Sequence, residues 1–235
     1  MSPRRKSLGR RLLQIALLLG GVLAVYEGSI LARILWWRTH NPSDTAFMRA
    51  RLAELRRQDP RATLEQTWVP YGRISPHLKR AVVAAEDARF LTHEGFDWEE
   101  IGKARERNEE RGRIVRGAST ISQQLAKNLF LSGRRSYLRK GQEALITLMI
   151  EAALDKRRIL ELYLNLIEWG ARTYGAEAAA RRQFGTGAGA LTADQAAHLA
   201  AMIPNPRHYE RRGTTAFLAR QTAVIRARME HVRAP

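Results

Sequence analysis

Fifteen consecutive residues, Leu12 to Tyr26, carry no charge, and Arg4, Arg5, Lys6, Arg10 and Arg11 stand directly in front of them. The apolar character resumes after Glu27, so the stretch from Leu12 to about Ala32 approaches the ~20 residues that span a bilayer as a helix, and Trp36-Trp37 suits an interfacial belt. Five basic residues in front predict a cytoplasmic N-terminus. Val22-Leu23-Ala24 offers a signal-peptide cleavage site as the rival reading, but the apolar run continues beyond it, which favours an uncleaved anchor. The expected organisation is a basic cytoplasmic tail over 1–11, a transmembrane anchor over 12–37, a membrane-proximal connector over 38–67 and one folded domain over 68–235.

At 235 residues the chain has room for one well-buried domain besides the anchor. Its formal net charge is +17; residues 1–37 hold six basic and one acidic residue, which leaves +12 on the rest. Such an excess favours an acidic partner: anionic lipid, a phosphorylated substrate or nucleic acid. The absence of cysteine excludes disulfides and Cys-ligated zinc, and the six histidines lack a zinc-ligand spacing.

The rest of the chain reads as helices, because alternating strand patterns are scarce. Residues 45–58 form a short amphipathic pattern with Met48, Leu52 and Leu55 on one side, suited to lipid headgroups or to packing on the domain. Ser75-Pro76 is a helix start. Leu78, Val82, Glu86 and Phe90 then recur at four-residue steps, which puts the Glu86 carboxylate on an apolar stripe with Asp87 beside it and the helix broken only at His93-Glu94-Gly95-Phe96-Asp97. A desolvated carboxylate there suits a structural ion pair or a general acid or base. Residues 98–116 alternate in charge around Trp98, Ile101, Ile114 and Val115, a solvated surface. A long pattern over 136–167, with Leu145, Leu148, Met149, Leu154, Ile159, Leu160, Tyr163 and Leu164 as core members, is divisible near Asp155. A helix over Leu191–Ile203 stops at Pro204-Asn205-Pro206, and a last one over 214–232 packs through Phe217, Leu218, Val224, Ile225 and Met229.

Between these lies Gly117 to Phe130, where Thr120 and Gln123 fit a capping box and the helix starts at Ser119 or Thr120. A turn leading into a helix N-terminus offers amides and hydroxyls to an anion, and Gln123, Gln124, Lys127 and Asn128 would extend a polar patch from it. An ordinary capped helix in water is the other reading of that stretch. Arg139 and Glu143 stand four apart, as an intrahelical ion pair would.

Three ordered stretches carry a resemblance. Ala85-Glu86-Asp87-Ala88-Arg89-Phe90-Leu91-Thr92-His93-Glu94-Gly95-Phe96-Asp97, Arg116-Gly117-Ala118-Ser119-Thr120-Ile121-Ser122-Gln123-Gln124-Leu125-Ala126-Lys127-Asn128-Leu129-Phe130 and Arg139-Lys140-Gly141-Gln142-Glu143 resemble the first three motifs of the peptidoglycan glycosyltransferases, glycosyltransferase family 51. Lys156 to Asn165, Tyr174-Gly175 and Ile203-Pro204-Asn205-Pro206 extend the likeness over roughly 68–210, and the chain's size matches the family's monofunctional members. The resemblance implies an all-α, lysozyme-like domain with a membrane-facing lobe behind one transmembrane helix. It implies polymerisation of lipid II onto a growing lipid-linked glycan, with inversion at the anomeric carbon, on the outer face of the bacterial cytoplasmic membrane.

By the same resemblance Glu86 is the general base and Glu143 the second essential carboxylate. Ser119, Thr120, Gln123, Gln124, Lys127, Asn128, Arg139 and Lys140 would bind the pyrophosphate and adjoining sugar, with Arg135 a weaker candidate, and Asp87, Phe90 and His93 would shape the cleft. No cofactor is required; a divalent cation, Mg or Mn, would sit at Glu143 if one takes part. Expected partners are membrane lipids and other cell-wall synthesis or division proteins, and nucleic acid is not among them. Ala118, Gln183 and Gln195 depart from the family's usual glycine, aromatic and glutamate. A muramidase, which would shorten preformed glycan, and a catalytically silent membrane-anchored glycan-binding protein are the competing readings.

Overall fold

The computed structural model describes residues 3–112, 119–131 and 136–235. Gly117, Ala118 and Arg135, with Ile114, Val115 and the basic turn around Gly133, lie outside the described residues. The all-α expectation is met. Eleven α-helices are described, and the strands are two-residue pieces: β1, Glu65–Gln66, pairs in parallel with β2, Thr173–Tyr174.

Helix α1 runs from Pro3 to Trp36, and its Gly9–Trp36 portion is long and apolar enough to cross a membrane. Leu12 through Val25 are exposed, as lipid contact requires, whereas Ile30 and Ile34 are completely buried against the domain. Glu27, the lone acid of the segment, accepts a hydrogen bond from the Gln142 side chain at 3.1 Å. Arg33 lies over the Phe130 ring, Trp37 packs on the same ring, and Arg158 donates to the carbonyls of Trp37 and His40. The end of the anchor is therefore docked on the domain.

Helix α2, Ala46–Arg56, is capped by Thr45 and packs on α5, so the connector belongs to the body of the protein. Helix α3, Pro76–Glu86, starts as the sequence demands, with the Ser75 hydroxyl accepting from the His77 amide and proline at the first position. It ends seven residues before the expected break at His93. Phe90 is fully buried, but from a turn closed by its amide on the Asp87 carbonyl at 3.0 Å.

Helix α4, Trp98–Glu110, is solvated, and Trp98 itself is exposed. Helices α5, Ile121–Phe130, α6, Tyr137–Ala153, and α7, Lys156–Leu166, follow. Asp155 divides the last two by capping α7 through the Arg158 amide at 2.7 Å. Contrary to expectation, Leu145 and Leu148 face outward from α6.

Helix α8, Ala176–Phe184, begins at Gly175, whose φ is +78° and whose hydrogen faces the Asn165 carbonyl; a Cβ there would lie 2.6 Å from that oxygen. Asn165 is buried and exchanges hydrogen bonds with the backbone of Val69, while Glu161 accepts from the Tyr71 amide, which clamps the loop before α3 onto α7. Helix α9, Ala193–Met202, has a capping box of Thr192 and Gln195; glutamine serves there as glutamate would. The Pro204-Asn205-Pro206 stop starts another helix, α10, Pro206–Arg212. Helix α11, Ala216–Arg228, buries Leu218 and Ile225, with Met229 buried at its C-cap, but leaves Phe217 and Val224 exposed, which corrects two of the five residues of its expected packing side.

Two packing groups result. Helix α9 packs with α3 and α11; α5 packs with α2, α6 and α7. The C-terminus of α3 reaches the line where the groups meet.

Candidate active site

Glu86, the last residue of α3, is half-buried. Its carboxylate accepts a 2.8 Å hydrogen bond from the Gln124 side-chain amide of α5, and the Gln124 carbonyl oxygen accepts one of 2.8 Å from the Tyr163 hydroxyl of α7. Tyr163 is fully enclosed; burial first, then the nearby Glu86 and Asp87 carboxylates, hold its hydroxyl well above the ordinary tyrosine range, so it remains a proton donor.

Glu86 also lines two cavities of about 590 and about 810 Å³. Ala85, Arg107, Ser119 and Arg228 line both as well, so the two form a groove with Glu86 at their junction. One compartment extends over Asp97, Lys103 and His231, the other over Gln124, Tyr209 and Phe217. A half-buried carboxylate between two chambers can take a proton from a group in one while that group attacks a centre in the other.

Asp87 takes a different part. Its two oxygens accept from the Ile121 amide at 3.0 Å and from His93 Nε2 at 2.8 Å. The Gly95 amide donates to His93 Nδ1, which leaves the proton on Nε2. The positive end of α5 is thus occupied by the protein's own carboxylate. Thr120 completes this closure: its hydroxyl donates to the Gly95 carbonyl at 2.7 Å and accepts from the Gln123 amide, while the Gln123 side chain accepts from the Thr120 amide. Thr120 and Gln123 are consequently buried with their polar atoms turned to the protein's own groups, and of the two only Thr120 lines the groove, at its smaller cavity. Their capping box forms as expected.

Asn128 is buried and bonds the Gln124 carbonyl; Ser119 is exposed on the groove wall, and Lys127 is half-buried on α5. Phe90 packs under Lys156, which donates to the His93 carbonyl and pairs with Glu151. Glu143, buried on α6, pairs with Lys140 at 2.5 Å and Arg139 at 3.5 Å. Among the described residues no three histidine or acidic side chains converge on a point, and Glu143 faces two cations.

A family model described as "Transglycosylase" matches residues 52–230. The chain belongs to that family. It is 56% identical to a biosynthetic peptidoglycan transglycosylase of Dechloromonas aromatica over 95% of this chain and 97% of that one. A protein of the same description from Chromobacterium violaceum is 53% identical, over 97% and 100% respectively, and one from an Azoarcus species 55%, over 98% and 99%. The groove of this transglycosylase adds Arg107 and Arg228, from patterns that read as surface, and the hydrogen bond to Gln124 adds Tyr163, from a pattern that reads as core. A buried tyrosine hydroxyl requires a polar partner, and that requirement was the available signal for Tyr163. No spacing links Arg107 to Arg228.

Proposed function

We propose that the protein polymerises lipid II into β-1,4-linked glycan, with Glu86 as general base. The observation that carries this reading is the position of Glu86 at the junction of two cavities, its carboxylate fixed by Gln124. The acceptor sugar's 4-hydroxyl attacks C1 of the muramoyl sugar on the growing chain. A C1–O bond forms on the face opposite the departing oxygen, the bond to pyrophosphate breaks, Glu86 receives the hydroxyl proton, and undecaprenyl pyrophosphate leaves. Inversion in one displacement needs no covalent enzyme intermediate.

Lys127, Arg139 and Lys140 neutralise the charge that develops on the leaving pyrophosphate, and Glu143 holds the last two in place through its ion pairs. Asp87, His93, Thr120 and Gln123 serve the site by fixing α5, and with it Gln124. The apolar α1 holds the enzyme in the bacterial inner membrane with its N-terminus cytoplasmic and its domain on the periplasmic side. Exposed Tyr137, Leu138, Leu145 and Leu148 on α6, the helix on which α1 docks, suit a lobe that faces lipid.

The test is incubation of the full chain with labelled lipid II in detergent, alongside Glu86→Gln. Muramidase-sensitive polymer from the wild type, with a loss of at least ~10³-fold in the variant, is expected. Polymer from Glu86→Gln at the wild-type rate would remove Glu86 from the base role, and cleavage of preformed glycan would favour a muramidase.

A further inference from the structure

Gln124 presents an amide group to Glu86, and an amide has two ends of nearly equal shape and opposite polarity. With the NH₂ turned to Glu86, the carboxylate form is favoured; with the carbonyl turned to it, the protonated form is. A general base must enter the reaction ionised. Which end faces Glu86 is therefore a functional property, and α5 alone does not fix it. The Gln124 NH₂ has one further acceptor, the Ser119 carbonyl at 3.4 Å, a long contact.

We infer that Tyr163 is a positioning residue for catalysis: its buried hydroxyl, 2.8 Å from Gln124 Oε1, locks the amide with its NH₂ toward Glu86. The inference rests on Glu86 as base and goes beyond it, because it assigns a role to a side chain that touches neither substrate nor the reacting atoms. The direction of the hydrogen bonds follows from the chemistry. An ionised Glu86 can only accept, so Gln124 donates to it, and Oε1 is left to accept from the phenol. The ring of Tyr163 lies on the apolar face of α7 among wholly buried neighbours such as Ile159, Leu160 and Leu164, so the phenol cannot swing away. Asp87, which also lies near the phenol, is held by Ile121 and His93, and the phenol donates to Gln124 instead.

Among the described residues, the other charged or titratable groups on the two cavities come from every neighbouring element: Asp87, Arg89 and Asp97 between α3 and α4, Glu100, Lys103, Arg107 and Arg111 on α4 and its C-cap, Tyr209 on α10, and Arg228 and His231 from the C-terminal segment. Tyr163→Phe alters none of them. It removes one oxygen and keeps the ring, so Gln124 loses the donor that defines its orientation.

The experiment compares wild type, Tyr163→Phe, Gln124→Glu and Glu86→Gln in full-length, detergent-solubilised protein, with lipid II polymerisation measured against pH. For Tyr163→Phe, kcat is expected to fall about tenfold with KM within about twofold, and the acidic limb of kcat to move up by roughly half a unit or more, since hydrogen bonds to the ionised base are lost. Gln124→Glu, which sets a like charge beside Glu86, is expected to move that limb further upward, and the half-buried position at the groove lies outside the apolar core. Melting temperatures monitor folding independently. An unchanged acidic limb in Tyr163→Phe, with Glu86→Gln inactive, overturns the inference and leaves the base assignment standing, and the shift in Gln124→Glu shows that the limb reports on Glu86. An active Glu86→Gln overturns the base assignment itself.

Discussion

The Asp87 carboxylate has two oxygens and two donors, and both donors are in protected positions. Ile121 N is the first amide of α5, and His93 Nε2 belongs to a ring whose other nitrogen is committed to the Gly95 amide. Asp87→Ala strands both, and each unsatisfied buried donor costs about 1–3 kcal/mol. The expected loss is about 3 kcal/mol, or roughly 10 °C in Tm by scanning calorimetry or a fluorescence melt. Asp87→Asn is expected to lose about half as much: the remaining oxygen still accepts from Ile121, but the new NH₂ meets the Nε2 proton. Equal melting of wild type and Asp87→Ala would make the clasp dispensable. The adjacent pair of acids is thus divided between a carboxylate that closes a helix and one that faces a groove. Sequence spacing placed both near an apolar stripe and could not divide them, because the division depends on where α5 begins in space.

At the scale of elements, what the sequence revealed was local chemistry. Ser75-Pro76, the Thr120 and Gln123 box, and Asp155 all act within one helical turn, and each forms where its residues predict. The end of α3 was not legible, since Phe90 keeps the four-residue recurrence while serving a turn. Proline at 206 reads equally as a stop and as a first helical residue, and the second role prevails in α10. Docking of the anchor was likewise hidden: Ile30 and Ile34 look like lipid-facing residues until the domain covers them. The double variant Ile30→Ala/Ile34→Ala removes buried methyl groups worth about 2–5 kcal/mol each, so the joint between α1 and the domain should open more often. Hydrogen exchange of the amides at 37–41 is the measurement, with an increase of at least ~tenfold expected. Unchanged exchange would mean that Arg158, through its bonds to Trp37, His40 and Asn41, and the Phe130 contacts of Arg33 and Trp37 hold the joint without the two isoleucines.

For the whole molecule, the fold class was legible because amphipathic periodicity decides it, whereas the groove was not, since Arg107 and Arg228 meet Glu86 only when α4 and α11 close on α3. Charge acts at this same scale. The part of the chain beyond residue 37 carries +12 and is tethered to a lipid surface by a docked helix, so its basic groups have no need to recruit the enzyme to the membrane. On the proposed function their target is the substrate's own pyrophosphate, delivered laterally from the same surface. Salt should then act on encounter and leave the chemistry unaltered: exposed charges are screened beyond ~8 Å at physiological ionic strength, while partly buried groups such as Arg139 and Glu143 are screened much less. In nanodiscs containing the full chain, raising salt from about 50 to about 500 mM is expected to raise KM for lipid II several-fold with kcat nearly constant, in zwitterionic as well as anionic discs. A fall in kcat at constant KM would instead place the basic excess in the transition state. A salt effect confined to anionic discs would show that it acts on the membrane, through the orientation of the domain over its lipid.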